Sequence, residues 1–567
     1  MSESLSAAPR LRILIVGGYG IFGGRLVELL ADEPRLTLII AGRSQARADA
    51  FCAGLTGKAS TLAAAFDRDA PLGAQLAALA PDVVVDATGP FQAYGTQPYR
   101  LAEASIEQGA AYLDLADGAD FVRGITALGE RARRRGVTVL SGVSSFPVLT
   151  AAALRHLASD LPLVRILRAG IAPSPHAVVG ENVIRAIAGY AGRPVAAIRG
   201  GRRAVVHPLT ETLRRTIAPP GALALPNTLF SLVEVPDLLL LADIRPEIQE
   251  IWIGAGLRPE ILHRVLIGLA FLVRWKILPS LAPLAGLMHR ANRYLRWGEH
   301  RGGMFVEIVG ERQDGTTVQR SWHLSAEGDD GPYIPAMAIA ALIQKRLEGD
   351  PPVSGARPAL RELELADYDR LFAGRAFRTG VREEGESAGK SLYERLLGEA
   401  FNRLPAPIRA LHRLAKPGGL ARGRGSVERG RGVFARLTAA LVGFPPAAED
   451  VPVEVRFTLT EEGEVWERNF AGRRFRSVQS EGRGAFTYLA SERFGPLSFG
   501  LSLVVEGERL RLVVRGWRFL GLPLPAFLAP TGETYEHAAD GRFNFHVEIA
   551  HPLIGLVVRY KGWLEPA

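Results

Sequence analysis

Between residues 11 and 141, short apolar β-branched runs alternate with longer stretches whose apolar residues recur every three or four positions. Segments 11–16, 36–41, 83–86, 112–115 and 137–140 read as buried parallel strands, and 21–31, 45–55 and 121–135 as the amphipathic helices between them. This alternation predicts a parallel sheet covered by helices on both faces.

The pattern changes after residue 146. A helical stretch at 147–158 gives way to strand-like runs at 164–171, 197–206, 229–240 and 250–253. An apolar helical region follows, then a hairpin, 304–311 with 318–324, turned at Asp314-Gly315. Residues 336–347 carry a helical pattern that can return to the first domain. Segment 350–391, rich in Pro, Gly and charge, reads as a linker. Beyond it lie short helices at 392–401 and 433–442, then alternating runs at 453–460, 464–470, 497–505, 510–515, 543–549 and 556–562 with turn signals between them. That spacing predicts an antiparallel sandwich or barrel. The expected domains are therefore 1–146, 147–349 (mixed α/β) and 392–567 (β-rich), with the linker between the last two.

Composition narrows the function classes. The chain has 567 residues, of which 47% are apolar and 22% charged, the balance of a globular protein rather than a disordered or fibrous one. Its single cysteine, Cys52, excludes an internal disulfide or a cysteine-built metal site and suits a reducing, cytoplasmic setting. The net charge is +9, yet only six basic residues are lysines, so arginine carries the bias. Basicity of this kind favours anionic small molecules or peripheral contact with an anionic membrane over a specific nucleic-acid site. The most apolar later stretch, 261–288, is interrupted by Arg264, Arg274, Lys276 and two prolines. Its longest charge-free run, 265–273, is too short to span a bilayer and suits a buried or interfacial helix.

One motif carries most of the chemistry. The first strand runs into Gly17-Gly18-Tyr19-Gly20-Ile21-Phe22-Gly23-Gly24, in which Gly18, Gly20 and Gly23 satisfy G-x-G-x-x-G. Following a strand and opening a helix, the pattern points to a dinucleotide. Gly18 permits the tight turn, Gly20 lets the backbone approach a pyrophosphate, and Gly23 lets the helix pack on the strand. Tyr19, Ile21 and Phe22 come to the same site through the turn. The second strand ends at Ala41-Gly42-Arg43-Ser44, without the acid that would bind the ribose hydroxyls of NAD. Arg43 and Ser44 suit a 2′-phosphate, so the expected cofactor is NADP(H). Thr88 and Gly89, in Asp86-Ala87-Thr88-Gly89-Pro90-Phe91, close another strand on the same edge and can approach the nicotinamide half. Ser144, in Gly142-Val143-Ser144-Ser145-Phe146-Pro147, is a further candidate contact. Ser145 before Pro147 also reads as a plain helix cap.

The segments GGYGIFGGRL, AGRS, DATGPF, YLDLADG and GVSSFPVLTAAAL, in this order, resemble the saccharopine dehydrogenase-like family of NADP-binding oxidoreductases. The resemblance implies a Rossmann-type domain and a hydride-transfer enzyme. Where family members that make saccharopine carry a D-P-G turn, this chain has Ser145-Phe146-Pro147, which turns the reading away from an amino-acid substrate. Residues 392–567 resemble a bacterial domain of unknown function found fused behind such reductases. The expectation is an NADP(H)-dependent oxidoreductase acting on a partly apolar small molecule, with a homodimer compatible and no catalytic residue singled out. The alternative is an NADP(H)-sensing or lipid-binding protein without turnover, with the β-rich tail as its binding module.

Other motifs are discounted. Gly385–Gly389 spells G-x-S-x-G without the preceding buried strand a nucleophile elbow needs, and with Lys390-Ser391 it nearly spells a P-loop whose first glycine is missing. No tyrosine has a lysine four positions on. His537, His546 and His551 lack the helical spacing that would align metal ligands, and the basic stretch 403–436 reads as a solvated loop.

Overall fold

The computed structural model describes residues 10–385, 389–415 and 418–567. The first part of the chain forms β1 (Leu11–Val16), β2 (Leu36–Gly42), β3 (Ser60–Ala65), β4 (Val83–Asp86), β5 (Ala111–Asp114) and β6 (Thr138–Ser141). These strands are parallel and lie in the order β6-β5-β4-β1-β2-β3. Ile13, Leu14, Ile15 and Val16 are buried because helices cover both faces of the central strand. Succession along the sheet reverses between β1 and β4, and at such a switch point the carboxyl ends of two neighbouring strands leave a crevice.

Several elements were not apparent in the sequence. Strand β3 is Ser-Thr-Leu-Ala-Ala-Ala, too poor in β-branched residues to stand out. Helices Leu72–Leu79 and Arg100–Glu107 also complete the unit. The single helix expected over 121–135 is broken into Ala119–Gly124, a 3-10 turn and Gly129–Arg135, with glycines at both joints.

Downstream lies a mixed sheet. Strand Glu250–Ala255 runs parallel to Leu163–Ala172 and antiparallel to Leu225–Leu232, while Arg301–Glu311 runs antiparallel to Leu163–Ala172. The run 229–240 is not one strand: it ends at Leu232, and Pro236 opens the short helix Asp237–Leu240. Likewise 197–206 is a hairpin, Val195–Arg199 with Arg202–Val206, because Gly200 and Gly201 turn the chain with φ of +57° and +73°. Helix Ile334–Leu347 returns to the first sheet and packs on α1 (Ile21–Leu30), where Arg25 lies 5.8 Å from the Tyr333 ring centre.

The segment expected to be a linker is largely structured. Gly355–Pro358 adds a seventh parallel strand beside β6, tied by Gly355 N to Val137 O at 2.9 Å and Ala359 N to Ser141 O at 2.9 Å. An edge position tolerates Pro358, whose missing N–H faces away from the ladder. Helix Leu365–Phe372 and strand Phe377–Glu384 follow. Gly385–Gly389, with its serine motif, falls partly outside the described residues. The chain divides into two compact units. The first runs to Leu213 and takes in Leu229–Ser321 and Ala326–Phe377; the second takes in Arg214–Thr228, Trp322–Ser325 and Arg378–Ala567.

The second unit contains a closed antiparallel barrel. Ten strands follow one another around the ring in chain order, from Leu420–Arg429 to Gly555–Pro566, and these two pair to close it. Side chains of helices Leu392–Leu397 and Ala406–Leu414 share its apolar core. Within that core the Tyr393 and His412 rings stack at 3.6 Å, and His412 Nε2 meets Glu536 Oε2 at 2.6 Å. Strand Leu420–Arg429 overturns the solvated-loop reading of 403–436. Its glycines permit close strand approach, since a Cβ on Gly423 would lie 1.8 Å from Trp563 O. Its arginines pair with neighbouring acids, as Arg422 does with Glu454 and Arg424 with Asp450.

Candidate functional site

The glycine turn is built by close approach. The left-handed position is Gly17, with φ +82°, not Gly18. Gly18 is required for another reason: a Cβ there would lie 2.8 Å from Ile15 O and 3.0 Å from Ile40 Cγ2. Gly20 N donates to Gly17 O at 2.8 Å, and a Cβ on Gly23 would meet the same oxygen at 2.2 Å. The turn therefore presses α1 against the end of β1. Helix geometry leaves the first-turn amides of Ile21, Phe22 and Gly23 without intrahelical acceptors, and no acid occupies that turn.

These amides open on a cleft of about 810 Å³ in the first unit. Tyr19, Gly20, Ile21, Phe22, Arg43, Ser44, Thr88 and Gly89 all line it, while Gly18 and Gly23 lie beneath as packing residues. Ser144 does not line it. Gly142, with φ +75°, turns the chain after β6 into the segment Ser145–Leu149, of which Ser145, Pro147, Val148 and Leu149 are buried. The far wall is supplied by helix Glu181–Tyr190 through Glu181, Asn182, Val183 and Ala186. Asn182 Nδ2 donates to Gly89 O at 3.2 Å, tying that helix to the loop after β4.

At the β2 end, Tyr19 organises the cationic groups. Its hydroxyl accepts from Ser44 N at 3.1 Å, and the Arg47 guanidinium lies 4.8 Å from its ring centre. Arg43 has no carboxylate partner among the described residues. A third cation, Arg68, sits 3.4 Å from the Tyr94 ring centre, with Nε 3.7 Å from Asp86 Oδ2. Asp86, buried at the end of β4, also accepts from Thr88 Oγ1 at 2.6 Å and Tyr94 Oη at 3.1 Å. Burial, and next the Asp86 charge, push the Tyr94 phenol well above its ordinary range. These residues fit a dinucleotide phosphate chain: free first-turn amides, and Arg43 and Arg47 beyond a β2 end that carries no acid of its own, with Asp67 and Asp69 after the neighbouring β3 also lining the cleft.

Acidic groups near the cleft were not singled out in the sequence. Asp117 lines the cleft and accepts from Gln92 Nε2 at 3.0 Å; burial raises its pKa. Burial also raises that of Glu234, with the charges of Asp117 and Asp120 adding to it. Tyr190 is shifted up by burial and then by Asp117 and Glu234, so the three groups are electrostatic neighbours. The YLDLADG segment holds Asp117, but nothing in its spacing sets this carboxyl apart from Asp114. The latter is fully buried; its Oδ1 accepts from Ser141 Oγ, Gly142 N and Ala116 N while its buried Oδ2 has no hydrogen-bond partner, and burial pushes the carboxyl up to about 7.

Fold and cleft together define a dinucleotide-binding domain of the oxidoreductase kind. Residues 13–140 match the saccharopine dehydrogenase NADP binding domain, and 404–564 match a domain of unknown function, DUF4166. The chain thus joins a saccharopine dehydrogenase-type NADP-binding domain to a C-terminal barrel of the DUF4166 kind. No curated protein matches the sequence. Among solved structures, it is similar to saccharopine dehydrogenase (L-Glu forming) from Saccharomyces cerevisiae, at 14% identity over 66% of this chain and 99% of that one, with a TM-score of 0.47. It is also similar to biliverdin reductase from Synechocystis sp. PCC 6803, at 13% identity over 60% and 92%, with a TM-score of 0.29.

The barrel has a separate cavity of about 140 Å³, mostly apolar, lined by Val455, Phe470, Leu501, Phe543 and Phe545 among others. On its polar wall Glu492 Oε1 accepts from Ser477 Oγ at 2.7 Å, Gln479 Nε2 at 3.2 Å and Arg468 Nη2 at 3.3 Å, while the buried Trp466 Nε1 has no hydrogen-bond partner.

Proposed function

We propose that the protein is an NADP(H)-dependent oxidoreductase that reduces a carbonyl, imine or enoyl group on a small, partly apolar molecule. The observation that carries this reading is the cleft end formed by Arg43, Ser44 and Arg47, with no carboxylate at the close of β2. Bound there, the nicotinamide cofactor would supply the hydride; the protein supplies binding, orientation and a proton. The first-turn amides of α1 would hold its pyrophosphate, and Arg43 with Ser44 would hold its 2′-phosphate. Phe91, Leu115, Val183 and Ala186 offer apolar wall to a substrate. Asp117, its carboxyl biased by burial toward the protonated form, is the proton donor to the reduced atom.

NADPH consumption with panels of carbonyl, imine and enoyl acceptors tests the assignment. Turnover with one class is expected, and Asp117→Asn should lower it by roughly 10²-fold while leaving NADPH affinity unchanged. NADPH binding without turnover on any acceptor would instead favour a sensing or lipid-binding protein.

A further inference from the structure

Helix Glu260–Arg274 is apolar on both sides. Its inner face is anchored: His263, Ala270 and Val273 are buried, His263 Nε2 meets Ser231 Oγ at 2.7 Å, and a Cβ on Gly192 would lie 2.2 Å from Ala270 O. Ile261 and Val265 nevertheless sit on the outer face at i and i+4, and Trp275 caps the helix, each more than half exposed. Ile277 continues the exposed apolar surface just beyond the helix. The next helix, Ala285–Tyr294, repeats the arrangement. Ala285 is buried, whereas Leu287, Tyr294 and, just beyond, Trp297 are more than half exposed. A helix with apolar residues on its solvent side as well as its core side has an unmet partner.

The charge pattern names that partner. From Ile261 to Gly298 the chain carries Arg264, Arg274, Lys276, Arg290, Arg293 and Arg296 and not one Asp or Glu. Arg264 is held by Glu260, but Lys276, Arg290 and Arg293 have no carboxylate partner among the described residues. Aliphatic side chains flanked by Trp, Tyr and unpaired cations suit the headgroup boundary of a bilayer, where aromatic rings settle and long basic side chains reach outward to phosphate. No helix among the described residues is long and apolar enough to cross a membrane, and the first of this pair, at 15 residues, spans only about 22 Å. The segment therefore suits lying in the surface rather than spanning it.

We propose that the helix pair spanning 260–297 docks the protein on an anionic lipid surface, with Ile261, Val265, Trp275, Ile277 and Leu287 entering the acyl boundary and Lys276, Arg290 and Arg293 meeting lipid phosphates. This proposal is independent of the cofactor assignment.

Flotation of the full-length protein with phosphatidylcholine vesicles, with and without phosphatidylserine, tests it. The protein should float with the serine-containing vesicles, remain unbound with phosphatidylcholine alone, and be released by high salt. Each surface charge is worth roughly fivefold in partitioning, so Arg290→Glu with Arg293→Glu should weaken binding by about 25-fold or more. Trp275→Ser with Ile277→Ser should weaken it as well. Both variants should keep the parental melting midpoint and NADPH affinity, so that loss of flotation is not loss of fold. Failure to float on either vesicle overturns the proposal, as does equal recovery on neutral vesicles. A dimer in solution that these substitutions convert to monomer would overturn it too, assigning the surface to a second copy of the chain.

Discussion

Replacing Arg43 with alanine isolates the interaction on which cofactor choice rests. Arg43 is exposed at the end of β2, its guanidinium unclaimed by any carboxylate among the described residues, while Ser44 beside it is fixed through Tyr19. A charge-assisted hydrogen bond is worth about 1.5–3 kcal/mol. Exposure places Arg43 at the lower end of that range, which corresponds to roughly a tenfold change in affinity. Titration calorimetry on wild type should give NADPH at least about tenfold tighter than NADH. In Arg43→Ala the NADPH affinity should fall by that factor and the NADH affinity should stay, because NADH has no 2′-phosphate to lose. Arg47, held over the Tyr19 ring, would retain a residual preference. Equal wild-type affinities, or equal losses for both cofactors, would refute the reasoning.

Two further outcomes follow from the geometry. In Gly20→Val the new Cβ lies 3.0 Å from Gly17 O with the cleft beyond it, so NADPH binding should be lost with little change in melting midpoint; Gly23→Val, at 2.2 Å from the same oxygen, should lower the midpoint as well, and undiminished NADPH binding in Gly20→Val would place the cofactor elsewhere. Asp237 is fully buried, and burial pushes its carboxyl up to about 7, against about 4 when unfolded. Its neutral form is the one the fold favours, so stability is full below about pH 4 and declines as pH rises through about 7. Asp237→Asn should therefore raise the melting midpoint more at about pH 8 than at about pH 4, and a gain of the same size at both would contradict the assignment.

The parallel sheet was legible because its strands are buried on both faces and stand out as β-branched runs, and the glycine turn because its spacing is imposed by backbone contacts with Gly17 and Ile15. The role of Gly17 was not legible, since neighbouring glycines look alike until one of them takes the positive φ. Segment 350–391 reads as a linker because prolines and charges surround Gly355–Pro358, yet an edge strand needs hydrogen bonds on one side only and little apolar sequence. The barrel was half visible. Strands 453–460 and 543–549 alternate clearly, whereas Leu420–Arg429 hides its inward positions as glycines and alanine between arginines. Ser144 follows β6 on the carboxyl edge of the sheet, a position that suggests a cofactor contact, but it is not among the residues lining the cleft. Asp117 does not stand out in the sequence because its raised pKa comes from burial, and the Glu234 and Tyr190 that it in turn perturbs lie far away along the chain.

The central claim is that NADP(H) occupies the cleft at the β1–β4 switch point with its 2′-phosphate at the end of β2. A crystal structure of the protein with NADP⁺ tests this most directly. The pyrophosphate is predicted against the first-turn amides of α1, the 2′-phosphate within hydrogen-bonding distance of Arg43 and Ser44, and the nicotinamide beside Thr88 and Gly89. A dinucleotide bound elsewhere, or lying in the cleft with its adenosine ribose turned away from Arg43, would contradict it.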